Sequence, residues 1–238
     1  MTAIARRAES RASRRTVSAP AQETVPRSLA ERAYELLVHK ITRLELPPGS
    51  VLVERNLMEE FGIGRTPIRE AMQRLAIERL VDHSPNRGMF VAEITATDVQ
   101  QIYEFRAVLD GYAAALAAAR ATPEQIRDLA MLHKKLLRAT EDDEINEYVT
   151  LDRQFYQVLG EAAHNTLVAD SIPRIFNLHL RLWFFISKRL GGWHSIAASH
   201  QEMTRDLVAS IERREPDKAR AAVESYITRR QQDLKKIL

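Results

Sequence analysis

The chain has 238 residues, 45% of them hydrophobic and 28% charged, with a formal net charge of +3. That length accommodates one small and one medium domain, each with its own core, and the composition is ordinary for a folded protein rather than a disordered or fibrous one. The lack of cysteine excludes disulfides, thiolate metal sites and cysteine nucleophiles. No apolar run approaches the ~20 residues that cross a bilayer, and the N-terminus lacks the apolar stretch of a secretory signal, so a cytoplasmic chain without membrane contact is expected.

Residues 1–27 carry Arg6, Arg7, Arg11, Arg14, Arg15 and Arg27 against Glu9 and Glu23. This Ala/Ser/Arg/Pro-rich stretch has no periodicity and reads as a disordered basic tail. The plainer and preferred reading is an inert solvated extension; the sharper one is a non-specific phosphate-binding arm.

Order is expected from Ser28, where Ser28-Leu-Ala-Glu31 fits a capping box ahead of a helix reaching about Leu44. Ala33, Leu36, Leu37, Ile41 and Leu44 give it an apolar stripe. Leu46-Pro-Pro-Gly49 breaks it, and Ser50-Val-Leu-Val53 has room only for a short extended piece. A second helix is predicted over Glu54–Phe61, closed by Gly62. A third is predicted to start with Thr66 as N-cap and Pro67 at the first helical position. Its inward residues Ile68, Ala71, Met72 and Leu75 turn Arg65, Arg69 and Gln73 outward. Two β-capable runs then flank Ser84-Pro-Asn-Arg-Gly88 and predict a hairpin. Three helices and a hairpin over 28–93 make a winged helix-turn-helix.

Beyond a linker at 94–98, residues 99–238 give no strand signal. Helices are expected at about 96–120, 123–140, 144–160, 165–189, 195–214 and 216–237, packed as an all-α antiparallel bundle. Pro173 is expected to kink or split its helix, and Gly191-Gly192 marks a loop. The fold class is therefore mainly α.

The run Leu46-Pro-Pro-Gly-Ser-Val-Leu-Val-Glu-Arg-Asn-Leu-Met-Glu-Glu-Phe-Gly-Ile-Gly-Arg-Thr-Pro-Ile-Arg-Glu-Ala-Met-Gln-Arg-Leu75, with the wing Pro85-Asn-Arg-Gly-Met-Phe-Val91, resembles the GntR family of bacterial regulators. Arg-Thr-Pro-Ile-Arg-Glu-Ala at 65–71 is its most specific segment. The physics agrees: a helix start attracts phosphate, and Arg65 and Arg69, four apart on one face, suit bidentate pairing with guanine. The resemblance implies DNA contacts from Arg55, Arg65, Thr66, Arg69 and the wing residue Gly88. Gly64 stands where relatives often carry Ser or Thr. Arg74 is set aside as an i,i+4 partner of Glu70.

Ile102-Tyr-Glu-Phe-Arg-Ala-Val-Leu-Asp110, Leu151-Asp-Arg-Gln-Phe-Tyr156, Ala162-Ala-His-Asn165 and the closing segment from Pro216 resemble the FCD ligand-binding domain of the fatty-acid-regulator branch. Many such domains hold a divalent metal on one aspartate and three histidines. Asp152 occupies the aspartate position, but Tyr156, Thr204 and Tyr226 align with the histidines, and His200 lies one turn before Thr204. No metal and no cofactor are therefore expected. The implied effector pocket comprises Arg106, Asp152, Tyr156, Arg181, His200, Thr204 and Tyr226, with a small organic acid or acyl derivative as ligand. Arg106 and Asp110 also read as a plain i,i+4 pair, Trp183-Phe-Phe185 as core or dimer contact, and His133, His164 and His179 as structural histidines.

The expected protein is thus a repressor that binds a palindromic operator in double-stranded DNA as a homodimer. A ligand-independent architectural DNA-binding dimer is the alternative. An enzyme is not expected, since the chain has no Gly-rich phosphate loop, nucleophile elbow or His-Glu-x-x-His helix.

Overall fold

A computed structural model describes residues 28–85, 88–189 and 192–235. The basic tail, Asn86 and Arg87 of the hairpin turn, and Gly191 of the predicted Gly-Gly loop lie outside the described residues.

Helix α1 spans Leu29–Thr42, with Ser28 Oγ accepting from the Glu31 N–H at 3.1 Å. That bond satisfies one of the donors that a first helical turn leaves without an acceptor. The helix stops short of Leu44, which takes a left-handed φ of 60°. Helix α2, Glu54–Phe61, closes on Gly62, whose N–H returns to the Met58 carbonyl.

Helix α3, Arg65–Ile77, corrects the predicted start: its N-cap is Gly64, not Thr66, so Pro67 is the third helical residue. Proline is tolerated there for the same reason as at the first position, because no N–H in that turn has an intrahelical acceptor. Arg65 and Thr66 thereby become part of the helix itself.

Strands β1, Val81–Ser84, and β2, Gly88–Val91, pair antiparallel with Val81 opposite Val91 and Ser84 opposite Gly88. The extended piece before α2 joins them. Val51 bridges Phe90, and the Leu52 N–H donates to the Met89 carbonyl at 2.8 Å. Leu37, Ile41, Ile68, Leu75 and Leu80 fill the core between these elements.

Six long helices follow: α4 Ala96–Arg120, α5 Pro123–Glu141, α6 Ile145–Ala162, α7 Thr166–Arg189, α8 His194–Glu212 and α9 Pro216–Lys235. Reciprocal capping boxes start two of them, Thr95 with Asp98 and Thr122 with Gln125. The first places the start of α4 inside the segment read as linker. The small inner face of α4, Ala113, Ala114, Ala117 and Ala118, lets α9 lie close along it. Near Gly111 a Cβ would meet Glu224 Cγ at 3.2 Å.

Helix α7 is not split by Pro173 but runs through it. Ile172, Phe176, Leu180 and Trp183 are buried in one core on both sides of the proline, and that packing outweighs one lost backbone bond. The same helix reaches the other core through Leu178. Among the described residues, no helix is long and apolar enough to cross a membrane.

Candidate nucleic-acid interface and buried polar cluster

The outer face of α3 begins with Arg65 and Thr66, both exposed, and continues one turn later with Arg69. Glu54, the first residue of α2, reaches both arginines: its carboxylate lies 2.6 Å from Arg69 Nε and 3.6 Å from Arg65 Nε. The two side chains are nonetheless 64% and 57% exposed, so their donors remain available. Arg55 points into solvent from α2 and pairs with Glu59 at 2.9 Å.

Gly88 has φ +88° and no atom within 4 Å of where a Cβ would stand. Its conformation, rather than crowding, asks for glycine. A cleft of about 470 Å³ between α3 and the hairpin is lined by Glu54, Arg69, Gln73, His83 and Gly88. Helix end, exposed arginines and hairpin thus share one surface. Its chemistry matches phosphate at the helix start and guanine edges along it.

The expected Arg74–Glu70 pair is replaced by a different set of contacts. Arg74 bonds Glu78 at 3.2 Å and Glu31 at 3.0 Å, and its guanidinium lies 3.6 Å over the Tyr34 ring. The i,i+4 rule allowed a partner on either side along the helix. The one toward Glu78 also brings Arg74 against α1, which accounts for the choice.

The bundle holds a second polar group, in the opposite surroundings. Arg106 on α4 is 2% exposed and bonds Asp110 Oδ2 through Nε at 2.7 Å and Nη2 at 2.6 Å. Burial disfavours the charge on Arg106, but Asp110 and the nearby tyrosines hold the guanidinium protonated. Burial pushes the Asp110 carboxyl up and Arg106 pulls it back; the two short bonds are those of an ionised pair.

Beside it, Asp152 Oδ1 on α6 lies 3.3 Å from His200 Nε2 on α8. His200 Nδ1 is 2.8 Å from the Tyr148 hydroxyl. Burial raises Asp152 to about 7 and lowers His200 to about 3, so between those values a carboxylic acid stands against a neutral imidazole. Tyr156 stacks on His200 at 6.1 Å, Tyr226 meets it edge-on at 5.5 Å, and Arg106 lies 5.0 Å over Tyr156. Arg106 Nη1, Asp110 Oδ1, Asp152 Oδ1, Tyr156 Oη, His179 Nδ1 and His200 Nε2 are buried without a hydrogen-bond partner.

The structure therefore brings Arg106, Asp152, Tyr156, His200 and Tyr226 together and leaves two expected members elsewhere. Thr204 points to His133 Nδ1 at 2.9 Å, so His200, and not Thr204, is the α8 residue facing Asp152. Arg181 is buried near the connection to α4, where its guanidinium donates to the Ala92 carbonyl. His179 and Tyr148 were missed. His179 shares a face of α7 with Phe176, Leu180 and Trp183, a spacing that pointed inward.

The cluster does not fit a transition metal. Burial raises both phenols above their ordinary range, which makes them poor ligands. Among the described residues, no three His, Cys, Asp or Glu side chains converge.

The family model for bacterial regulatory proteins of the gntR family matches residues 29–91, and that for the FCD domain matches residues 101–229. The HTH-type transcriptional regulator McbR of Escherichia coli is 27% identical over 149 residues, 63% of this chain and 67% of that protein. The Nta operon transcriptional regulator of Aminobacter aminovorans is 30% identical over 182 residues, 76% and 82% of the two chains. The solved structure of E. coli McbR/YncC superposes with a TM-score of 0.74 at 22% identity, covering 88% of this chain and 98% of that one. With both family models matched over most of its length, the chain belongs to the GntR family in its FCD-domain branch, and is a DNA-binding transcriptional regulator rather than an enzyme.

Proposed function

We propose that this regulator binds a palindromic operator as a homodimer, represses from it, and releases it when a small organic acid or acyl-type anion enters the bundle. The observation that carries the effector reading is the buried cluster of Arg106, Asp152, Tyr156, His179 and His200, in which Arg106 Nη1, Tyr156 Oη and His179 Nδ1 have no hydrogen-bond partner and Asp152 Oδ1 stands 3.3 Å from His200 Nε2. Buried polar groups are costly when unpaired, and a permanently charged guanidinium flanked by donors suits a carboxylate. The E. coli relative RspR, 25% identical over 86% of each chain, is named a repressor, which supports the sign.

Arg55, Arg65, Thr66, Arg69 and Gly88 contact DNA in this reading. Pairing of subunits is supported by an apolar stripe on α4, where Phe105, Val108 and Tyr112 are exposed at helical spacing; two copies meeting there would cover it. The effector acts by shifting the balance between two arrangements of the paired heads.

The test is thermal melting of the full chain in acetate, succinate, benzoate, citrate and octanoate, with native mass spectrometry of the purified protein. At least one anion is expected to raise the melting temperature and to weaken operator binding. If none does, and no small molecule co-purifies, the architectural dimer replaces this reading.

A further inference from the structure

A continuous run of polar contacts leads from the bundle into the DNA-binding head. It starts on α6 with Arg153, the residue after Asp152, which donates from Nη2 to Asn177 Oδ1 at 2.9 Å. Asn177, on α7 and 4% exposed, donates from Nδ2 to Tyr34 Oη on α1 at 3.2 Å. The Tyr34 hydroxyl in turn donates to Glu78 Oε2 at 2.6 Å. Glu78 is the C-cap of α3, and its other oxygen accepts from Arg74.

Ring contacts accompany the near end of this run. Phe176, next to Asn177, has the Tyr156 ring at 6.0 Å and the Arg153 guanidinium at 4.5 Å. Two residues of the buried cluster, Asp152 and Tyr156, thus adjoin the start of the run, and its far end is the recognition helix.

We propose that Asn177 is the positioning residue through which the buried cluster of the bundle orients α3 for operator binding. Its amide accepts from Arg153 through the oxygen while donating to Tyr34 through the nitrogen. The orientation of the amide is fixed by chemistry, since Arg153 has only donors and must face the oxygen. A buried amide that loses either partner incurs a desolvation penalty. A shift of Arg153 therefore drags Asn177 or breaks its bond, and either event reaches Tyr34 and the end of α3. Leu178, packed against the head's core, and Asn177 join this stretch of α7 to both halves. The inference rests on the cluster being the effector site.

The experiment uses the full chain, a duplex selected by it from a random library, and fluorescence anisotropy at fixed salt. Asp152→Asn serves as the perturbation of the cluster. In the parent it is expected to change operator affinity about fivefold or more, the lower range of measured couplings. Asn177→Asp keeps the acceptor for Arg153 but cannot donate to Tyr34. In that background the same perturbation is expected to change affinity by about twofold or less, the scatter of independent sites.

Tyr34→Phe, which removes one oxygen, should mute the response equally and stands in if Asn177→Asp fails to fold. An equal response in parent and variants overturns the proposal, as does no response in the parent. The anion melting shifts distinguish the two readings. Parent-like shifts in Asn177→Asp with undiminished coupling sink the positioning role alone; no shift in any protein sinks the effector site.

Discussion

Two arginine groups, one on α3 and one on α4, show how surroundings change what the same side chain does. In the head, Arg65 and Arg69 share the single carboxylate of Glu54 and stay more than half exposed. In the bundle, Arg106 and Asp110 are buried together, 2% and 1% exposed. An exposed pair is worth little, and a competing anion displaces it at small cost. A buried pair is expensive to disturb from either side. In the proposed reading the head exchanges its counter-charge for DNA, whereas the bundle keeps its counter-charge and still leaves polar atoms over for a ligand.

The contrast is tested most severely by removing a carboxylate from the sealed pair. Asp110→Ala should lower stability by about 3–5 kcal/mol, because it leaves a guanidinium buried without a partner. Denaturant unfolding checks it; a loss no larger than that of an exposed pair would erase the distinction. Next in size, Arg69→Ala should weaken operator binding by about 1–3 kcal/mol and relax base preference. Gel-shift titration against selected and scrambled duplexes reads both effects, and equal affinity of mutant and parent for the selected duplex counts against the contact.

A smaller effect lies in the pH profile of the bundle. Burial holds the proton on Asp152 from its unfolded value of 3.8 to about 7, so its contribution is complete at low pH and lost as pH rises toward 7. Burial keeps His200 neutral from 6.5 down to about 3, so its contribution is complete above 6.5 and lost as pH falls toward 3. Between 3.8 and 6.5 the folded and unfolded pairs bind equal numbers of protons and cancel. His200→Gln should replace that flat stretch by a steady decline in melting temperature with rising pH, relative to parent; parallel profiles would contradict the neutral pairing. Smallest of all, Glu54→Gln should tighten binding to a random duplex by about 0.2–1 kcal/mol, the range of an exposed pair. Anisotropy at low salt measures it, and weaker binding would mean that Glu54 supports the arginines rather than competing with DNA.

The helices were legible in the sequence wherever a cap, a proline or a glycine punctuated them. Thr122-Pro123, Gly62 and Pro216 each mark an observed end, and the 65–71 motif located the exposed arginines. Proline also misled twice. At Pro67 the first turn accepts proline at several positions, so the cap could not be read from it; at Pro173 the apolar stripe on both sides kept the helix whole. The bundle cluster was half legible. Asp152 and Tyr156 share a helix face and were found together, while His179 was set aside because a lone histidine carries no local signal. Register along α8 misplaced one residue: His200 and Thr204, a turn apart, both face inward, and only the packing shows which meets Asp152. The surroundings of Arg181 and Arg74 were illegible for one reason, since Ala92 and Glu31, which they reach, are distant in sequence.

The bridge between Val51 and Phe90 bears on how such a protein measures its DNA. It ties the hairpin to the segment that launches α2, and Leu57 and Phe61 of α2 share one buried core with Ile68 and Leu75 of α3 and with Val81 and Val91 of the hairpin. Hairpin and α3 therefore form one packed unit, and under the proposed DNA contacts the offset between the groove read by α3 and the one met by the hairpin is the same in each half-site. In a dimer of such heads the adjustable quantity is the gap between half-sites. Operators with an inserted or deleted base pair at their centre, rather than within an arm, are the ones on which an effector should be seen to act.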